Sequence, residues 1–214
     1  MTDRRSFLQS IAILGLATGR GRASDDPVAA LSPEIWRNAR RNGLVMIRHP
    51  APDGTTSHAT LVKPGEPGDP LAVTGQVFVP DGKTPAAGVT VYAYNTDAQG
   101  YYGENRTGYP PRIYGWMKSD SAGRFDLATI KPGHYPNMQV ASHIHFSFWG
   151  CGYPPQWVDE LRFEGDPYLT PAMIDEDRAH GDFATIQPLT RSSDRGLHCT
   201  VRFKLQRTCN FGAQ

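Results

Sequence analysis

Between Tyr102 and His145 the chain holds four residues whose types and spacing could bind a metal ion. Tyr102 closes Gly100-Tyr101-Tyr102, Tyr135 lies in Gly133-His134-Tyr135-Pro136, and His143 and His145 stand in Ser142-His143-Ile144-His145-Phe146. Alternate side chains of a β-strand share a face, so His143 and His145 project side by side. Two imidazoles at that spacing can hold one ion, and two nearby phenols would complete a set of two nitrogens and two oxygens. Phenolate is a hard, anionic, electron-rich donor suited to a trivalent ion, and imidazole suits iron among others. A free phenol has a pKa of about 10, but a cation at the oxygen removes that proton well below neutral pH, as it does from metal-bound water. A His-x-His pair alone would equally fit the edge of a half-exposed strand, with the tyrosines in the core. The two phenols favour the metal.

The surrounding blocks resemble the intradiol ring-cleavage dioxygenases, and most nearly the protocatechuate 3,4-dioxygenase branch. They are Thr129-Ile130-Lys131-Pro132-Gly133-His134-Tyr135-Pro136, Ser142–Phe146 and Leu161-Arg162-Phe163-Glu164-Gly165-Asp166-Pro167. Gly75-Gln76-Val77, Val91–Thr96 and Asp120–Phe125 fit the same pattern in order, so the resemblance covers about residues 70–205. It implies a non-haem Fe(III) held by Tyr102, Tyr135, His143 and His145. The family's first tyrosine follows a Gly-x pair, which selects Tyr102, with Tyr101, Tyr109 and Tyr114 as rivals in a loop of loose register. It further implies that Tyr135 and His145 are axial while Tyr102 and His143 lie in the equatorial plane. The substrate implied is a catechol-type ring, which chelates a ferric Lewis acid and is opened between its hydroxyls by O2 to a muconic-type diacid. Tyr135 would leave the metal carrying one substrate proton. No reductant or organic cofactor is implied.

One departure stands out. Where many members carry an arginine three residues before the first histidine ligand, this chain has Val140. Losing a fixed cation from a desolvated site can cost about 3 kcal/mol of transition-state stabilisation. Arg106 or Arg112, in the loop rich in glycine and proline, is the expected catalytic substitute.

The N-terminus reads as an export signal over residues 1–23. Asp3-Arg4-Arg5-Ser6-Phe7-Leu8-Gln9 resembles a twin-arginine motif and precedes an apolar stretch, Ile11–Gly19. That stretch falls short of the ~20 residues that span a bilayer, so no membrane span is expected in the mature form. A bacterial periplasmic or secreted destination follows. Cys199 and Cys209 could close a small loop there, and with Cys151 the odd count leaves at least one thiol unpaired within the chain or pairing elsewhere. Formal net charge is +1, with 39% hydrophobic and 20% charged residues. These values are ordinary for a globular protein and give no call for nucleic acid. There is no P-loop, dinucleotide fingerprint or Gly-x-Ser-x-Gly motif.

Most periodic stretches run at period two between frequent glycines and prolines. Strands are expected at Leu71–Val79, Val89–Asn95, Trp116–Ser119, Arg124–Leu127, Ser142–Trp149, Glu160–Phe163, Thr185–Leu189 and His198–Leu205. Pro80-Asp81-Gly82 and Asp120-Ser121-Ala122-Gly123 supply turns. The fold class is therefore mostly β, an antiparallel β-sandwich of prealbumin/Ig-like topology with a short N-terminal helix and long loops. Ser32 and Pro33 open that helix, which ends near Gly43. It would pack on the sandwich or on a partner subunit, which leaves a homo-oligomer open. Residues 24–70 form this helix and a wrapping arm, and residues 71–214 the catalytic domain. Asp175-Glu176-Asp177 reads as a solvated surface cluster, and Phe163–Pro167 as a structural turn. A transthyretin-like or carboxypeptidase-regulatory-like binding module would fit Thr74–Tyr94 equally well. It would not need the Tyr/Tyr/His/His set.

Overall fold

Turn chemistry sets several strand boundaries. Asp81 Oδ1 accepts from the Lys83 and Thr84 backbone N–H groups at 2.7 and 2.8 Å. Asp120 Oδ1 accepts from Ala122 and Arg124 N–H, both at 2.8 Å, while Gly123 takes a positive φ of 72°. These side chains replace the backbone partners that a reversing chain gives up. The computed structural model describes residues 51–106, 110–191 and 196–207. The expected export segment and N-terminal helix lie outside those residues, as do Tyr109 and Cys209.

The strands are β1 His58–Thr60, β2 Pro70–Phe78, β3 Thr90–Asn95, β4 Ile113–Lys118, β5 Arg124–Ile130 and β6 His143–Gly150. They continue with β7 Tyr153–Trp157, β8 Leu161–Phe163, β9 Ile186–Gln187, β10 Thr190–Arg191 and β11 Leu197–Lys204. One sheet runs β1-β5-β2-β11-β10. The other runs β4-β3-β6-β8-β9, with β7 also paired to β6. The sheets are mixed rather than wholly antiparallel: β1 runs parallel to β5, β2 to β11 and β8 to β9. Parallel pairs need long returns, which hairpin signals in a sequence do not announce.

Alternation does the rest. Leu71, Val73 and Val77 of β2, Phe125 and Leu127 of β5, and Val201 and Phe203 of β11 face Val91 and Ala93 of β3 and Ile144, Phe146 and Phe148 of β6. Phe125 lies 5.8 Å from Phe146 and stacks on Phe203 at 6.4 Å. Cys199 is a free thiol in this core, and burial pushes it up to about 12; Cys151 is also free, and exposed.

A helix that the sequence pattern does not announce, α1 (Pro171–Ala179), follows β8. Thr170 caps it, its side chain accepting from Met173 N–H at 3.3 Å, with Pro171 at the first position. Asp175 and Glu176 are exposed as expected, but Asp177 is buried. Its carboxylate accepts from Thr185 N–H at 2.6 Å and Ile186 N–H at 3.0 Å, fixing the entry to β9.

Gly75 faces the Phe125 ring so closely that a Cβ would overlap it. Gly75→Ala is expected to cost ~1–3 kcal/mol by overpacking, read as a lower denaturation midpoint, and Gly75→Val more. An unchanged midpoint would show that the core relaxes there.

Candidate metal centre

Strand β6 carries the site on the face turned away from the core. Ile144, Phe146 and Phe148 point inward, so His143 and His145 share the outer face. They are nonetheless buried, at 5% and 8% exposure, because loops cover them. Tyr94, the cross-strand partner of His145 on β3, stacks beneath its imidazole with centroids 4.4 Å apart and planes 14° from parallel.

The phenols arrive on two loops. Tyr102 follows β3, and Tyr135 follows β5. Gly100 and Gly133 bring those loops together. A Cβ on Gly100, whose φ is +88°, would strike the His134 carbonyl, and one on Gly133 would strike that of Ala98. Gly133 N–H donates to Asp97 O at 2.9 Å, and Thr96 Oγ1 donates to Gly133 O at 2.9 Å. His134 then anchors the second loop: its Nε2 lies 2.8 Å from Asp166 Oδ2, which also accepts from Ser142 N–H at 3.0 Å. The Phe163–Pro167 turn is therefore more than a turn, since it ties the Tyr135 loop to the start of β6.

Four donor atoms converge. Tyr102 Oη contacts Tyr135 Oη and lies 2.7 Å from His145 Nε2. Tyr135 Oη lies 2.9 Å from His143 Nε2 and 3.4 Å from His145 Nε2, and the two Nε2 atoms are 3.0 Å apart. Donors ~2.0–2.1 Å from one small ion at tetrahedral angles stand about 3.3 Å from each other. The tautomers agree with that use. His143 Nδ1 faces the Ala141 carbonyl at 2.7 Å, an acceptor, so it carries the proton and leaves an Nε2 lone pair for the cluster. Burial, then neighbouring His143, pushes His145 down to about 3, so it is neutral at neutral pH. The residues fit a metal ion.

Glu160, which the sequence pattern marks only as the start of a strand, sits against the cluster. Its Oε1 is 3.4 Å from His145 Nδ1 and its Oε2 accepts from Arg162 at 2.7 Å. Burial pushes this carboxyl up, but neighbouring positive charge, including the hydrogen-bonded Arg162 guanidinium, outweighs it and holds the carboxyl below its usual value. His143, His145 and Glu160 also form a metal-competent group. The convergence of both phenols on the Nε2 atoms favours the tyrosine set, with Glu160 behind His145. A lone glutamate before β8 gives no spacing signal that would have singled it out.

The other candidates stand apart. Tyr101 is covered by the Arg106 guanidinium, 5.8 Å from its ring, and Tyr114 packs on Trp116 at 5.3 Å with 41% exposure. Arg112 is held by Glu66, with two contacts of 2.7 Å, and by Asp97 at 3.2 Å, which raises its already high pKa. Arg106 is exposed.

Comparison with known proteins agrees with this geometry. The sequence model of the Dioxygenase family matches residues 47–206. The chain belongs to the intradiol ring-cleavage dioxygenase family. It is 35% identical over 120 residues to the protocatechuate 3,4-dioxygenase beta chain of Burkholderia cepacia, an alignment covering 50% of this chain and 51% of that one. It is 30% identical over 130 residues to 6-chlorohydroxyquinol 1,2-dioxygenase of Cupriavidus pinatubonensis, covering 53% and 46%. The chain thus spans about half the length of the curated intradiol relatives it matches. Among solved structures, the dioxygenase domain of a dioxygenase carbohydrate-binding fusion from Streptomyces sp. SirexAA-E superposes with a TM-score of 0.52 at 27% identity, covering 75% of this chain and 96% of that one. Catechol 1,2-dioxygenase from Pseudomonas arvilla C-1 shares the fold, with a TM-score of 0.56 at 20% identity, covering 85% and 70%.

Two predictions follow from the loop geometry. Gly100→Ala should separate the tyrosine loops, and metal content by elemental analysis should fall well below one ion per chain while the circular dichroism of the sheets persists. Asp166 supplies the second. Burial pushes it up, but the Tyr168 N–H, His134 and the Ser142 N–H hold it below the usual carboxylate range. Its folded value is thus below the unfolded value of about 3.9, so its contribution is present above that pH and fades as pH falls through the folded value. Asp166→Asn should therefore be less stable than the parent at pH 7, with the gap narrowing below about pH 4. A gap that widens in acid would contradict this.

Proposed function

We propose that the protein is a ferric intradiol dioxygenase that opens a catechol-type ring between its hydroxyls with O2, giving a muconic-type diacid. The convergence of Tyr102, Tyr135, His143 and His145 on one point carries this reading. A bound Fe(III) would supply Lewis acidity and a two-point template for the catecholate.

The chain's own residues do the remainder. His145 is neutral, and the Nδ1 contact of His143 with the Ala141 carbonyl turns its Nε2 toward the cluster. Tyr102 is buried and Tyr135 half-buried, which leaves Tyr135 the phenol nearer to an incoming ring. Tyr135 Oη, between Tyr102 Oη and His143 Nε2, is the atom we assign to take a catechol proton. Tyr94 holds the His145 plane by stacking, and Glu160 holds its Nδ1 edge. Arg106 and Arg112, the catalytic cations the sequence leads one to expect, both have partners away from the cluster: Arg112 on Glu66 and Asp97, and Arg106 over the Tyr101 ring. We keep the prealbumin-like sandwich topology, the export of the chain through residues 1–23, and assembly into a homo-oligomer as parts of the same reading.

The test is iron content and the visible spectrum of the purified protein, with and without catechol under anaerobic conditions. A tyrosinate-to-iron band that shifts with catechol is expected. A protein that stays colourless after Fe(III) reconstitution would sink the proposal. Tyr135→Phe should keep the fold and lower turnover by ~10²–10⁴-fold, the range for a lost proton acceptor. Parent-like turnover would remove Tyr135 from that role.

A further inference from the structure

Glu160 stands between the donor cluster and a cavity. Its Oε1 lies 3.4 Å from His145 Nδ1 and 3.9 Å from His143 Nε2, and Oε2 holds Arg162 at 2.7 Å. Arg162 is the cross-strand partner of His143. Both Glu160 and Arg162 line a cavity of about 640 Å³, together with Trp157, whose ring is 6.1 Å from that of His145. Of the charged groups lining this cavity, Glu160 is the one in contact with the histidines of the cluster, and its countercharge is already paired.

Among the described residues, Arg162 is the only arginine or lysine within salt-bridge reach of Glu160. Arg112 is bound to Glu66 and Asp97, Arg106 lies over Tyr101, and position 140 is Val. The other charged groups lining the cavity have partners of their own: Arg202 pairs with Asp182 at 3.3 Å, Lys204 lies over the Phe183 ring at 5.1 Å, and Asp159 stands 3.8 Å from His180.

We propose that the Glu160–Arg162 pair is the specificity-determining wall of the site, restricting it to catechols without an anionic ring substituent. This rests on the dioxygenase reading above. A neutral ring meets a locally neutral pair. A ring carboxylate meets Glu160, and Arg162 cannot answer it without leaving its partner. A ring bearing an ammonium group gains from Glu160. Like charges several ångströms apart at a partly buried site are worth about tenfold in binding or more.

The experiment uses the full chain loaded with ferric iron and titrated anaerobically with catechol, 3,4-dihydroxybenzoate and 3,4-dihydroxybenzylamine, reading the visible band. Catechol should bind about tenfold tighter than the benzoate, and the benzylamine no weaker than catechol. Glu160→Gln frees Arg162 and should close or reverse the gap between catechol and benzoate. Arg162→Gln leaves Glu160 bare and should widen it. Equal affinity of the parent for the three ligands, or movement of the gap in the same direction in both variants, overturns the specificity role and leaves the dioxygenase reading standing. A protein with no visible band, and none on adding catechol, overturns both.

Discussion

Everything at this site depends on a strand that is buried on both faces. Strand β6 alternates aliphatic or phenyl groups with His143, His145, Ser147 and Trp149, and nearly every position is shielded from water. The inner face is ordinary sandwich core. The outer face is not, because burying imidazole is costly unless its polar atoms find partners and it sheds its charge. The chain meets both conditions. A carbonyl two residues back accepts a hydrogen bond from His143 Nδ1, Tyr94 covers the His145 ring, and two phenols complete the cluster. For His145 the neutral, lone-pair-bearing state that a cation needs is the state that burial itself selects.

The cover over that face comes from loops, which are poor platforms unless their backbone is tied down. Here two glycines allow the tyrosine-bearing loops to approach more closely than any side chain would permit, and the Asp97 and Gly133 backbone groups stitch them together. His134 and Asp166 extend the stitching to β8 and the start of β6. The donor set is drawn from three separate segments, and these backbone and side-chain contacts fix how they meet.

Much of this was legible in the residues. His143 and His145 follow from period two, the Asp81 and Asp120 turns from their side-chain chemistry, and the order of motif blocks from resemblance. Tyr102 was preferred over Tyr101 by its place after Gly100, and the geometry brings Tyr102 to the histidines while Tyr101 packs under Arg106. What stayed hidden has a common cause. Glu160, Asp166 and Asp177 are single carboxylates whose roles are set by partners far along the chain or by backbone N–H groups, so no local pattern marks them. Helix α1 has no apolar stripe to reveal it, and the parallel strand pairs join segments that no turn connects. Arg106 and Arg112 were attractive because of the loop they share, but a salt bridge to Glu66 and a ring contact with Tyr101 depend on packing alone.

The pairing of β2 with β11 places the first long strand beside the last, in the middle of its sheet. Residues 70–78 cannot complete their hydrogen bonds on one side until residues 197–204 have been made and have returned across the whole domain. Such a chain has little to gain from folding in pieces as it emerges from the ribosome, because its central seam closes last. Slow acquisition of structure is the natural tendency of that topology. A truncation that removed β11 would expose the interior of a sheet rather than trim an edge.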